Sequence, residues 1–146
     1  MSVIQAINER RAYRSLGPVK ITEDLIKDLA ESARLAPSCF NNQPWRFIFV
    51  HDADVLKSMR EALSKGNEWA YSASMIIAVF SQKEDDCIIR DREYHQFDCG
   101  LGAGFLILRA TELGLVAHPI AGYSPRKTKE ILEIPEEYQV ITLIIV

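Results

Sequence analysis

The residues with the clearest chemical potential lie in segment 36–45, which reads Ala-Pro-Ser-Cys-Phe-Asn-Asn-Gln-Pro-Trp. Pro37 and Pro44 interrupt any continuing helix and bound a loop between them. The loop carries one hydroxyl and three amides, from Ser38, Asn41, Asn42 and Gln43. These groups donate and accept hydrogen bonds without ionising, which suits a planar heteroaromatic ligand with alternating carbonyls and ring nitrogens. An ordinary helix-to-strand turn is the alternative, because turns use the same residue types.

A second group of interest is segment 10–14, Arg-Arg-Ala-Tyr-Arg, which places three guanidinium groups within five residues. The planar fork of arginine matches the oxygens of a phosphate, so the cluster is suited to an anion site. A solvated charged face is the other interpretation, because runs of charge are commonly exposed. The residues alone leave both interpretations open.

Other groups that often carry chemistry give no such pattern. The histidines His51, His95 and His118 have no evident cysteine or carboxylate arrangement around them, so we expect structural roles. The three glycines within segment 100–104 lack the preceding strand and the spacing of a dinucleotide fingerprint, and close helix packing is the better explanation. We therefore expect no catalytic residue on the chain itself.

The cysteines also show no spacing that indicates a chemical role. Cys39, Cys87 and Cys99 are odd in number and show no Cys-x-x-Cys spacing, which disfavours a disulfide framework and a zinc site. For Cys39 we expect a packing role rather than a redox role. A reducing cytoplasm is the simplest location, and the N-terminus lacks the features of a signal peptide.

Composition describes one globular domain. The 146 residues are 48% hydrophobic and 25% charged, as in soluble proteins with a proper core. A net charge of −3 gives no reason to expect a nucleic-acid partner. No apolar run reaches the roughly 18 residues that a membrane-spanning helix needs, so we expect no membrane span.

Hydrophobic periodicity predicts interspersed helices and strands. The predicted helices cover 2–10, 22–35, 53–64, 88–113 and 125–133. The predicted strands cover 45–50, 75–80 and 140–146, with an edge segment and turn at 118–123. The second half of the longest helix is apolar almost all round, so we expect it to be the central buried helix. The class is α/β or α+β, with one sheet flanked by helices.

Three motifs, in the right order, resemble the nitroreductase family of FMN-dependent oxidoreductases. Segment 10–14 is similar to the family's Arg-Arg-Ser-x-Arg start, and segment 36–45 to its Ala-Pro-Ser-x-x-Asn-x-Gln-Pro-Trp signature. Segment 119–123, Pro-Ile-Ala-Gly-Tyr, resembles the Pro-Ile-x-Gly-Phe turn beside the flavin. Segments 66–70 and 98–101 fit more loosely. The resemblance implies an α+β sandwich with one mainly antiparallel sheet flanked by helices, usually an intertwined homodimer with FMN at its interface.

The resemblance also implies cofactor-binding positions. The FMN phosphate and the polar edge of the flavin would be contacted by the arginine segment, namely Arg10, Arg11 and Arg14, with Ala12 where the family usually has serine. The isoalloxazine would be lined, from the other subunit, by Pro37, Ser38, Cys39, Asn41 and Gln43. Asn67 would reach the pyrimidine or ribityl side, and the backbone of Ala121 and Gly122 would lie near flavin N5.

Two departures from the family pattern affect the expected affinity. Ala12 removes one phosphate hydrogen bond. The family's last strand usually continues into a tail with a basic phosphate contact, whereas this sequence stops at Val146. Loss of one charged contact costs about 1.5–3 kcal/mol, or about ten- to a hundredfold in affinity. We therefore expect weaker FMN binding, unless the arginines at 10, 11 and 14 compensate.

Together these features predict an FMN-dependent oxidoreductase. NADH or NADPH would reduce the flavin and leave, and a small-molecule acceptor such as a nitroaromatic, quinone or flavin would follow by a ping-pong mechanism. Redox chemistry belongs to the cofactor, which agrees with the absence of a catalytic triad. The alternatives are a flavin-binding protein with little turnover, or a degenerate interaction domain that has lost the cofactor.

Overall fold

The structure is a computed structural model that describes residues 1–146. Its helices are α1 (Val3–Glu9), α2 (Glu23–Arg34), α3 (Ala53–Met59), α4 (His95–Glu112) and α5 (Pro125–Leu132). Its strands are β1 (Arg46–Val50), β2 (Ile76–Ser81), β3 (Ile88–Ile89), β4 (Arg92–Glu93), β5 (His118–Ile120) and β6 (Gln139–Ile145). None of the helices combines the length and the apolar character needed to cross a membrane.

The main sheet has four strands in the order β1-β2-β6-β5, and every neighbouring pair is antiparallel. β6 lies inside the sheet and pairs with β2 on one side and β5 on the other. β2 and β6 are nearly all apolar because both of their faces are covered, as the sequence predicts. The observed class is α+β, with one antiparallel sheet flanked by helices, which confirms the fold prediction.

Two hydrophobic cores lie on opposite faces of this sheet. Successive strand side chains point to opposite faces, so Ile77 enters one core and Ile76 the other. The first core packs α2 and α4 against the sheet, with Leu29 and Leu106 fully buried. The second core includes Met59 at the end of α3 and the inner strands. The result is the sandwich that the resemblance implies.

Helix α4 begins later than the sequence predicts. The predicted start at residue 88 is wrong, because β3 and β4 form a short antiparallel ribbon over 88–93 and the helix starts at His95. Arg90, with φ of 61°, occupies the turn of this ribbon. Two-residue strands are too short to show an alternating pattern, so periodicity extends the helix across them.

Only one glycine of segment 100–104 packs closely against a neighbour. A Cβ on Gly102 would lie 3.2 Å from the indole ring of Trp45, whereas Gly100 and Gly104 face open space. Gly102 thus lets α4 approach Trp45, the residue that precedes the edge strand β1. The close-packing prediction is confirmed for Gly102 and is wrong for the other two glycines.

Candidate functional site

The loop 37–43, which connects α2 to β1, has an unusual backbone. Phe40, Asn41 and Gln43 have φ values of 47°, 56° and 51°, in the left-handed region that non-glycine residues avoid. Such conformations cost about 1–3 kcal/mol each and persist only where surrounding contacts hold them. The Ser38 hydroxyl accepts a hydrogen bond from the Gln43 N–H at 2.9 Å, and Gln43 Nε2 donates to Asn41 Oδ1 at 3.1 Å. The loop is therefore held in one shape before any ligand binds.

A disulfide between Cys39 and Cys87 ties this loop to the segment before β3. This pairing overturns the expectation that an odd cysteine count disfavours a disulfide and that Cys39 has a packing role. The two cysteines are 48 residues apart, with no spacing motif to indicate the pair. Because the cysteine count no longer argues for a reducing compartment, a cytoplasmic location stays a prediction.

Two buried carboxyl groups lie beneath the disulfide. The Cys39 N–H donates to Asp98 Oδ2 at 2.7 Å, which fixes the loop to α4. Burial raises the pKa of Asp98, the Cys39 N–H opposes that shift, and the neighbouring Asp86 carboxyl raises the pKa further. Cys99, the free cysteine, is fully buried, and burial raises the pKa of its thiol to about 12, so the thiol stays protonated at neutral pH.

Segment 10–14 lies against a stack of rings. The Arg14 guanidinium carbon is 5.9 Å from the centroid of the Trp69 ring, and the Trp69 and His118 rings stack with centroids 4.7 Å apart. The His118 Nδ1 atom is 3.1 Å from the Tyr13 carbonyl oxygen. His118 therefore has the structural role that the sequence predicts, since it joins β5 to the arginine segment.

The same stack continues to Gly122 through Asn67. Asn67 Nδ2 donates to the Gly122 carbonyl at 2.8 Å, and its Oδ1 accepts from Trp69 Nε1 at 3.1 Å. A Cβ on Gly122 would overlap Asn67 Nδ2, so the close approach requires glycine. Ala121, next to it, is exposed. The motif 119–123 and Asn67 thus form one rigid unit.

The three guanidinium groups of segment 10–14 have no acidic partner. Every ion pair in the structure uses other residues. Arg11 Nη1 donates to the carbonyls of Asn8 at 2.6 Å and of Arg10 at 2.8 Å, which leaves the rest of its fork free. An unneutralised cationic cluster at a fixed position is suited to an anionic group.

The predicted site residues fall into two groups. The arginine side comprises segment 10–14 (with Ala12 exposed among the arginines), Asn67, Ala121 and Gly122, and the loop side comprises residues 37–43. β5 leads into the arginine side and β1 follows the loop side, and these strands are the two edges of the sheet. Three strand spacings separate the edges by about 14 Å. The structure brings each group together but keeps the two groups apart within one chain.

Sequence reasoning missed several residues that hold these groups in place. Trp69 was given no role of its own within segment 66–70, yet its ring links Arg14, His118 and Asn67. Asp86 and Cys87 were assigned no role, although they lie directly behind the loop. The only sequence signal was the group of closely spaced acids beside a cysteine in segment 84–87. The sequence does not show which residue that cysteine pairs with, so the signal could not be interpreted.

Comparison with solved structures shows which known architecture this fold resembles. A nitroreductase family protein from Clostridium novyi NT superposes with a TM-score of 0.91 at 23% identity, covering 99% of this chain and 83% of that one. A crystal structure described as an oxidoreductase containing FMN gives a TM-score of 0.82 at 26% identity, covering 96% of this chain and 73% of that one. The architecture is that of nitroreductase-type α+β proteins.

Sequence comparison gives the family. The profile described as the nitroreductase family matches residues 7–68 and 60–146, which include both sides of the candidate site. A Thermus thermophilus relative named NADH dehydrogenase is 23% identical over 167 residues, covering 93% of this chain and 81% of that protein. The chain belongs to the nitroreductase family.

Proposed function

We propose that this protein is an FMN-dependent NAD(P)H oxidoreductase of the nitroreductase type. The observation that carries the proposal is the arginine cluster without acidic partners, held by Trp69 and His118 beside the Asn67–Gly122 contact. Family membership supports the same assignment, as do the FMN in one structural neighbour and the NADH dehydrogenase name of one relative.

The arginine side fits the phosphate end of FMN. Arg10, Arg11 and Arg14 offer guanidinium donors that no carboxylate neutralises. Arg14 is held over Trp69, so its position is restricted before a ligand arrives. These groups would bind the phosphate by charge-assisted hydrogen bonds, while Ala12 contributes no side-chain donor.

The loop side fits the flavin ring system. Ser38, Asn41 and Gln43 carry uncharged donors and acceptors, and Asp98 holds the Cys39 backbone in place. Asn67 and the backbone at Ala121 and Gly122 would orient the ring from the arginine side. Bound FMN would supply the redox chemistry, accepting hydride from a nicotinamide and passing electrons to an acceptor. The residues of the chain would bind the FMN, orient its ring system and shield it from solvent.

A homodimer would complete the site, because one chain keeps the two sides at opposite sheet edges. Exposed apolar residues support such an interface. On α4, Phe97 is 64% and Phe105 43% exposed, and on α1, Val3 is 73% and Ile4 61% exposed. Phe97 and Phe105 are eight residues apart and so share one face of the helix. We propose that this face of α4 contacts a second copy of the chain, so that the loop side of each chain covers the arginine side of the other.

The proposed reaction follows ping-pong order. The nicotinamide, NADH or NADPH, and the acceptor would use the same exposed space beside Ala121, one after the other. Acceptors of planar, conjugated chemistry, such as nitroaromatics and quinones, match the loop side, which presents a hydroxyl and amides rather than charges.

The test begins with absorbance. The purified protein is loaded with FMN and desalted, and its spectrum is recorded from about 300 to 550 nm, the range of flavin absorption. We expect flavin bands that stay with the protein and that bleach on anaerobic titration with NADH or NADPH. Protein that retains no flavin after loading would overturn the cofactor assignment. Bound flavin that nicotinamides reduce no faster than free FMN would contradict the enzymatic proposal and favour a flavin-binding protein.

A further inference from the structure

A cluster of potential metal ligands lies behind the loop side. The Sγ atoms of Cys39 and Cys87 and one carboxylate oxygen of Asp86 all lie within 4.8 Å of one another. Asp86 and Cys87 are each only 8% exposed, while Cys39 is half-buried. We call these three residues the thiol–carboxylate cluster. In the structure its two sulfurs are joined as a disulfide.

The carboxylate of this cluster is incompletely satisfied. Asp86 Oδ1 accepts hydrogen bonds from the Cys87 N–H at 2.8 Å and from Asn42 Nδ2 at 3.3 Å. Asp86 Oδ2 is buried and has no hydrogen-bond partner. Asp98, 3% exposed, places a second carboxyl beside it. A buried carboxylate oxygen without a partner is costly, and a proton or a cation would relieve that cost.

Reduction of the disulfide changes what the cluster offers. Two thiolates and a carboxylate form a ligand set that zinc prefers over magnesium or calcium. Zinc–sulfur bonds of about 2.3 Å in a tetrahedral site place ligand atoms about 3–4 Å apart. The three atoms already lie within 4.8 Å of one another, which is close to that spacing.

We propose that, in the reduced protein, Cys39, Cys87 and Asp86 bind one divalent cation of the zinc class, with a fourth position open to water. The disulfide and the metal are then alternative states of the same cluster. A dithiol reductant gives two electrons and two protons to the disulfide and becomes a disulfide itself. Metal binding then releases the two thiol protons as two metal–sulfur bonds form.

The inference does not depend on flavin binding, and its assay contains no flavin. The protein is reduced with a phosphine and desalted without oxygen. A denatured sample is checked for three free thiols per chain, and the folded protein is titrated with Co²⁺ and then Zn²⁺. We expect one equivalent of Co²⁺ to give a thiolate-to-cobalt charge-transfer band, which Zn²⁺ removes. The oxidised protein should give no band. A reduced, folded protein that shows three free thiols after denaturation but gives no cobalt–thiolate band would overturn the proposal.

Variants test the assignment of the ligands. Cys87→Ser should abolish the charge-transfer band, and Asp86→Asn should weaken Co²⁺ binding by about a hundredfold or more, since ligand losses exceed the 10–100-fold typical of outer-shell groups. Glu84→Gln, an exposed acid in the same segment, is the matched control and should bind like the parent protein. Unfolding curves of each variant show that it is folded. Binding that survives both Cys87→Ser and Asp86→Asn would contradict the assignment.

Discussion

Asn67 uses both ends of its side-chain amide, one on Gly122 and one on Trp69. Gly122→Ala should displace this amide, because the added Cβ would occupy the position of Nδ2. Loss of two hydrogen bonds predicts a destabilisation of about 1–3 kcal/mol, measured by urea unfolding. Gly100→Ala is the control. Its Cβ meets open space on α4, so it should be neutral or stabilise by about 0.5–1 kcal/mol. Equal effects in the two variants would contradict the contact.

The arginines make a prediction at the same scale. Arg14→Gln should lower FMN affinity by about ten- to a hundredfold, because it removes a charge-assisted phosphate contact worth about 1.5–3 kcal/mol. Quenching of FMN fluorescence on titration measures the dissociation constant. Arg126→Gln is the matched control, since Arg126 is exposed on α5 and pairs with Glu130. A similar affinity for both variants would argue against the phosphate assignment.

The disulfide predicts a redox-dependent stability. It closes a loop with a sequence separation of 48, for which the chain-entropy model gives about 4 kcal/mol. Metal-free protein should therefore unfold at a lower urea concentration after reduction than before. Cys87→Ser should unfold near the reduced parent and show no further response to reductant. A parent protein whose midpoint is the same in both redox states would contradict the disulfide's contribution.

At the scale of elements, an ion pair joins α2 to α4. Arg109 donates to both oxygens of Asp28, at 2.9 and 2.7 Å. These hydrogen bonds lower the pKa of Asp28, and burial opposes the shift. A lowered folded-state pKa gives stability that is present above the unfolded-state pKa and is lost as pH falls through the folded-state value.

Asp28→Asn should therefore unfold more easily than the parent near neutral pH, and the difference should shrink as the solution is acidified below the ordinary aspartate pKa of 3.8. Urea midpoints measured across the acid range test this dependence. Glu23→Gln, in an exposed pair with Lys27, is the control and should change little. A difference between Asp28→Asn and the parent that does not vary with pH would contradict the ion pair's role.

Helices and strands that show a regular repeat or a continuous run of apolar residues could be predicted from the sequence. Helix α2 was expected over 22–35 and occupies Glu23–Arg34, because Thr22 caps it and acids fill its first turn. Strand β2 and strand β6 were predicted as buried runs and are confirmed. The ribbon at 88–93 was not predictable, because its conformation depends on pairing within four residues and on the nearby disulfide rather than on a repeating pattern.

At the scale of the whole molecule, the proposed dimer predicts that assembly and flavin binding fail together. Phe97→Asp places a charge on the exposed face of α4, so it should yield a monomer that binds FMN weakly. Light scattering after size exclusion gives the mass, and FMN titration gives the affinity. Ser58→Asp is the control, because Ser58 is exposed on α3, which packs on the other face of the sheet from α4, and this variant should leave the dimer intact. A flavin-loaded Phe97→Asp monomer would contradict a shared site.

The candidate site was only partly predictable for a related reason. Motifs at 10–14, 36–45 and 119–123 give the candidate site residues, since each motif is a local run. The contacts that hold them, such as Asn67 with Gly122 or Cys39 with Asp98, join residues more than 50 positions apart. A single sequence carries no record of such pairs. The division into two sheet edges follows from strand order, which local patterns do not specify.

The position of β6 has a consequence for protein synthesis. β6 joins β2 to β5 within the sheet, yet every other strand and helix described here precedes it in the chain. On the ribosome, the β1–β2 pair and β5 must wait with unsatisfied edges until residues 139–145 emerge. Long-range strand pairing of this kind is slow and exposed to aggregation. A nascent chain that is stalled before residue 139 has emerged should therefore be cleaved by protease along its whole length. A chain in which β6 has emerged from the ribosome should resist the protease.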